Sequence, residues 1–137
     1  MIIIDTHVLI WAMQDEPKLG AQARSLLERA AGEGGIGVSA ITVWEIAMLA
    51  QKGRLRLGRE VGAWIEAALA QPGLSLMPIK PAIAVDSVRL PGEFHADPAD
   101  RLIIATARHE AWPLMTADAA ILSYAAEGHL PILDARR

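Results

Sequence analysis

The chain has no cysteine, no excess of positive charge and no long uninterrupted apolar run. Without cysteine there is neither a disulfide framework nor a thiolate metal site, and a reducing compartment is permitted. A formal net charge of -3 argues against a protein that grips nucleic acid through a broad positive field, because such binding requires clustered Lys and Arg. It does not exclude a nuclease. Metal ions in an acidic pocket neutralise a reacting phosphate themselves, and positive side chains need only line the approach; the candidates are Lys52, Arg54, Arg56 and Arg59 in QKGRLRLGRE. No segment is long and apolar enough for a membrane span. The opening MIIIDTH lacks a positive leader, and Asp5 cuts its apolar run too early for a signal peptide, so the chain is expected in the cytoplasm.

What is present is a chain of 137 residues, the usual size of one compact domain, so a single domain over residues 1–137 is expected. Hydrophobic residues make up 53% and charged residues 21%. That is apolar for a small domain, and it implies that part of the surface is covered by a partner, as in a dimer or an obligate complex.

The periodicity predicts alternating strands and helices. Ile2 to Ile4 form a short β-branched strand ending at Asp5, followed by a helix through VLIWAM that Asp5 or Thr6 can cap and Pro17 stops. LGAQARSLLERAA reads as an amphipathic helix closed by the GEGG turn, Ile36 to Ser39 as a second strand, and ITVWEIAMLAQK as a helix ending at Gly53. A further helix is expected from Gly58 to Gln71, then a third strand from Leu74 to Ile79 and a helix from Pro81 to Leu90. PGEFHADP is a turn-rich loop. Asp97 caps DPADRLIIATARHE, with Pro98 in its first turn and acidic side chains near the positive end of the dipole. Pro113 to Thr116, Ala117 to Ala126 and Pro131 to Leu133 complete the chain as strand, helix and strand. Short apolar strands alternating with helices imply a parallel sheet covered on both faces, a doubly wound α/β sandwich.

In such a sheet the functional crevice lies beyond the carboxyl ends of the strands, where strand order reverses. Asp5 stands at such an end, Asp118 follows the fourth strand by two residues, Asp100 lies in the first turn of the helix feeding that strand, and Glu45 lies one turn into the helix after the second. Taken singly, Asp5 and Asp118 are helix caps, and Asp97 with Asp100 has the spacing of a capping box. Glu45 differs, because its neighbours in ITVWEIAML are apolar and a carboxylate on a largely buried helix normally has a partner. Brought together, the four acids repel by about 3 kcal/mol per pair at roughly 6 Å and an effective dielectric near 20. A divalent cation relieves that repulsion, which points to metal-assisted phosphoester chemistry.

The segments IIDTHVLIWAM, VSAITVWEIAML, KGRLRL, HADPADRLIIATA and PLMTADAAI, in that order along nearly the whole chain, resemble a PIN domain, within it the VapC-like toxin group with an Asp-Thr-His opening. The resemblance implies a PIN-like α/β/α sandwich with a central parallel sheet of about five strands. It also implies a Mg2+- or Mn2+-dependent ribonuclease acting on RNA and a cognate antitoxin that blocks the site. Mapped by motif, the acidic residues of the family fall on Asp5, Glu45, Asp100 and Asp118, with Asp97 as a neighbouring acid.

Other residues near these acids carry two readings each. Thr6, Ser39 and Thr116 are hydroxyls at strand ends, suited to orienting carboxylates or contacting phosphate, or else to local capping. Arg101 binds substrate phosphate or pairs with a nearby acid or carbonyl. His7 and His95 sit beside the acids and are left out of the metal set. Trp11, Trp44 and Trp64 could stack on bases, but their spacing among aliphatic residues favours packing in a core or interface, and the helices from Pro17 to Gln71 are the expected surface for a homodimer or antitoxin. The competing functions are a PIN nuclease outside a toxin–antitoxin pair, a receiver-like module and a catalytically silent interaction module. A receiver would want an accepting Asp at the end of the third strand, where LSLMPIKP has none; an Asp-nucleophile phosphatase would want a second Asp where the chain has His7.

Overall fold

The computed structural model describes residues 1–94 and 97–137; His95 therefore lies outside the described residues. Five parallel strands, β1 (Ile2–Ile4), β2 (Ile36–Ser39), β3 (Leu74–Met77), β4 (Leu114–Thr116) and β5 (Ile132–Asp134), form one sheet in the order β3-β2-β1-β4-β5. Parallel neighbours need crossover connections, and the helices supply them: α1 (Thr6–Met13) and α2 (Ala21–Glu33), α3 (Ala40–Gln51) and α4 (Val61–Leu69), α5 (Pro81–Val88) and α6 (Pro98–Glu110), and α7 (Ala119–Ala126). This is the expected α/β/α sandwich. The chain steps outward from β1 to β2 and β3, then crosses back to place β4 on the other side of β1. The reversal between β1 and β4 opens the crevice typical of doubly wound sheets.

Alternation along β1 builds the two layers of core. Ile2 and Ile4 face one side, where α1, α2 and α4 contribute Val8, Leu9, Leu27, Trp64 and Ala68. Ile3 faces the other, against Ile103, Ile104 and Ala107 of α6 and Ile121 and Tyr124 of α7. Because the central strands are covered on both faces, β1 and β4 are buried at every position. The backbone enters the crevice in register, with the Asp5 amide donating to the Met115 carbonyl (3.2 Å).

Several boundaries differ from the pattern. The fourth helix starts at Val61 rather than Gly58, because Gly58 has φ +76° and the Glu60 carboxylate caps the helix by accepting from the Ala63 amide (2.7 Å). β3 stops at Met77, before Pro78, which cannot donate to a ladder. At the turn into β3, Gly73 has φ +80°, and a Cβ there would lie 2.4 Å from the Ala31 carbonyl oxygen, so only glycine fits. The large exposed apolar side chains are unevenly distributed. Between Pro17 and Gln71 only Trp44 is a large exposed apolar side chain; Leu76, Ile79, Val85 and Val88 lie on β3, the turn after it and α5. The amphipathic helices α2 and α4 turn their apolar faces into the core, whereas β3 is an edge strand and α5 keeps an open face. Among the described residues, no helix is long and apolar enough to cross a membrane.

Candidate active site

A cavity of about 290 Å³ opens at the carboxyl end of β1, lined by Asp5, Thr6, His7, Trp11, Glu45, Asp97, Asp100, Ala117 and Asp118. All four acids expected there from the sequence are in it, together with Asp97. Each arrives by a different local rule. Asp5 caps α1, its Oδ1 accepting from the Val8 amide (2.9 Å). Asp118 caps α7 and accepts from the Ile121 amide (3.0 Å). Asp97 caps α6 and accepts from the Asp100 amide (2.9 Å), which places the Asp100 side chain one turn on at the cavity. Glu45 is carried in by α3 and is buried. Capping and lining are thus compatible, since a cap engages one carboxylate oxygen and leaves lone pairs for a further partner.

Two threonines hold these carboxylates across the fold. Thr116, at the end of β4, donates its hydroxyl to Asp5 Oδ2 and accepts from the Asp118 amide (3.0 Å). Thr6 donates to Glu45 Oε1. A hydroxyl has one proton, so the 3.1 Å bond between Thr6 and Thr42 is donated by Thr42. For Thr6 and Thr116 the carboxylate-orienting reading is the one observed, while Ser39 is a local cap on the Ile41 amide (3.3 Å). Thr42 was missed from the sequence. Its signal is its position, three residues before Glu45 on the same face of one helix.

Ligand oxygens of Glu45, Asp97 and Asp100 lie within 4.8 Å of one another. Asp97, placed by the sequence only as a neighbour, therefore lies within the same 4.8 Å of Glu45 and Asp100. Among the described residues no Lys or Arg forms an ion pair with any of the five cavity carboxylates. The electrostatic consequence is visible in two groups. Burial first, and then the charges of Asp97, Asp118, Glu45 and Asp5, push the Asp100 carboxyl up to about 7. Burial also raises Asp5, against the opposing hydrogen bonds from Thr116 and Val8. A cluster of hard oxygen donors that pairs with no Lys or Arg among the described residues fits a divalent cation with oxygen ligands.

Arg101 does not join the cavity. One step along α6 from Asp100, it leaves the helix about 100° round and donates to the carbonyls of Ser87 (3.2 Å) and Phe94, so carbonyl pairing is the alternative observed. Trp64 is core, Trp11 a half-buried wall of the cavity, and Trp44 is exposed on the single chain.

Residues 2–127 match the family model of the PIN domain. The chain belongs to the PIN-domain family. It is 35% identical over 123 residues to Ribonuclease VapC22 of Mycobacterium tuberculosis, covering 90% of this chain and 91% of that one. Among solved structures, this PIN domain superposes on a chain of VapBC2 from Rickettsia felis, bound to a promoter DNA fragment, with a TM-score of 0.71 at 18% identity over 97% and 98% of the two chains. It superposes on FitAcB from Neisseria gonorrhoeae with a TM-score of 0.66 at 21% identity over 98% and 97%. These likenesses establish the fold.

Proposed function

We propose that this PIN domain is a metal-dependent endoribonuclease that hydrolyses RNA phosphodiester bonds as the toxin of a toxin–antitoxin pair. The observation that carries the chemistry is the convergence of Asp5, Glu45, Asp97, Asp100 and Asp118 on one cavity, with no ion pair to a Lys or Arg among the described residues. The ribonuclease name of the curated relative supports RNA as substrate. The toxin–antitoxin setting draws on the structural neighbours, among them a toxin–antitoxin complex from Klebsiella pneumoniae with a TM-score of 0.58 at 23% identity over 86% and 87% of the two chains.

Glu45, Asp97 and Asp100 are the direct ligands in this reading, and Asp5 and Asp118 complete the set, directly or through water. A Mg2+ or Mn2+ ion held by these carboxylates would supply water activation and Lewis-acid stabilisation of charge developing on the phosphate. Thr6 and Thr116 hold Glu45 and Asp5 in place, as partners behind metal ligands do. The exposed Lys52, Arg54, Arg56 and Arg59 give the RNA backbone a positive approach; their loop is tied to α1 by Gln14 Nε2 donating to the Arg56 carbonyl (2.9 Å). The partners in this reading are the antitoxin and a second copy of the chain, for which the apolar side chains left open on β3 and α5 offer contact area, and the setting is the cytoplasm.

The test is to incubate purified, antitoxin-free protein with structured RNA, with and without Mg2+ or Mn2+, beside Asp5→Asn and Asp100→Asn variants. Cleavage by the parent protein alone, abolished by EDTA, is the expected result. Equal cleavage by all three proteins, or cleavage indifferent to EDTA, overturns the proposal.

A further inference from the structure

Trp44 is the largest side chain left open beside the acidic cavity, 57% exposed. It precedes Glu45 on α3, so it leaves the helix about 100° round from the carboxylate. With Ile41 and Met48 it forms one apolar stripe of α3, at three- and four-residue spacing. Pro98 and Ala99, from the first turn of α6, provide the opposite wall of a groove of about 310 Å³. The remaining lining is Glu45 and Asp97, and both also line the acidic cavity. The two depressions therefore share a wall made of two of the three closest carboxylates.

We infer that this groove is a nucleobase subsite, holding the base adjacent to the phosphate that is cut, with the Trp44 indole as its stacking face. The inference rests on the nuclease reading above and names the part of the substrate that reading left open. Among the described residues the groove offers no positive side chain to a phosphate, and Glu45 and Asp97 at its edge repel one. A base is the flat, uncharged part of a nucleotide, and it is joined to the phosphate as the groove is joined to the cavity. An indole stacks on any base, because every base has a π face, so the subsite adds affinity with little sequence preference.

The experiment uses the full chain with Trp44→Ala and Trp44→Phe variants and a fluorescent single-stranded oligoribonucleotide in Mg2+. Trp44→Ala is expected to raise KM by about 5- to 150-fold, the range for losing one base–aromatic stack, with kcat changed less and Trp44→Phe restoring most of the loss. An abasic residue next to the scissile phosphate is expected to weaken the parent protein as much as Trp44→Ala does, and to weaken Trp44→Ala no further. Size-exclusion elution is expected to stay the same. An unchanged KM overturns the inference, as does a change of assembly size in Trp44→Ala, which would assign the face to a second copy. Loss of inhibition by the antitoxin with KM unchanged overturns it in favour of that partner. Quenching of tryptophan fluorescence by the oligonucleotide, present in the parent and reduced in Trp44→Phe, reads the base contact without cleavage. If no RNA is cut, the nuclease reading fails by itself, and the quenching result still decides for or against the subsite.

Discussion

Thr116 and Asp5 are 111 residues apart in the chain and directly bonded in the fold, the hydroxyl donating to Asp5 Oδ2. The Thr116 hydroxyl oxygen in turn accepts from the Asp118 amide, so one side chain links the acid at the end of β1 to the cap of α7. This bridge spans β1 and β4 at the point where the strand order reverses. Replacing Thr116 by Val keeps the shape and removes the hydroxyl. Cleavage is expected to fall roughly 10- to 100-fold, as for other groups that orient metal ligands, with a stability loss of about 1–3 kcal/mol from the unpaired buried groups. Thr106→Val is the control. Thr106 is equally buried but bonds the Leu102 carbonyl within α6 (2.8 Å), and its cleavage rate should stay near that of the parent. Cleavage rates and urea midpoints of both variants check the difference.

Asp100→Asn removes a charge that four neighbouring carboxylates repel. The metal-free variant is expected to melt at a higher temperature than the metal-free parent, while cleavage falls at least about 100-fold through loss of a ligand. Added Mg2+ should raise the melting temperature of the parent more than that of the variant. Thermal melts in EDTA and in Mg2+ measure both effects, and a variant less stable than the parent in EDTA would contradict the repulsion argument.

The same group predicts a pH dependence. The folded chain holds the Asp100 proton up to about 7, against an ordinary value of 3.8. Between those values the folded state binds more protons than the unfolded state, so stability falls as pH rises. Asp5, also raised by burial, acts in the same direction. Metal-free protein should therefore lose stability from about pH 4 to about pH 7, read by denaturant titration in EDTA. Ligation requires the deprotonated carboxylate, so Mg2+ affinity should weaken about tenfold per pH unit below 7, read by calorimetry.

Arg101→Gln should act on the fold rather than the chemistry. Its guanidinium donates to the Ser87 and Phe94 carbonyls and lies 6.0 Å from the centre of the Phe94 ring, which ties α6 to the chain that leaves α5. A loss of about 1.5–3 kcal/mol is expected, in the range for hydrogen bonds to a charged group. The rate per folded molecule should be unchanged at a temperature where the variant is folded. A kcat deficit with normal stability would return Arg101 to a substrate role.

The sequence by itself determined the elements and their order. β-branched runs between helical stripes specify strands buried on both faces, and the caps Asp5, Asp97 and Asp118 mark the helix starts, because unsatisfied amides at a helix start need a nearby acceptor. It also placed four acids near strand ends, since capping and lining use the same positions. Element ends were less legible, as at Glu60 and Met77, where a single cap or proline competes with a continuing pattern. Only the tertiary structure decided which oxygens meet. Asp97 joined Glu45 and Asp100, Thr42 entered behind Thr6, and Arg101 turned to backbone carbonyls, because these outcomes depend on the docking of α3 against α6 and on side-chain direction around a helix. Periodicity names the face of a helix; packing decides what lies opposite it.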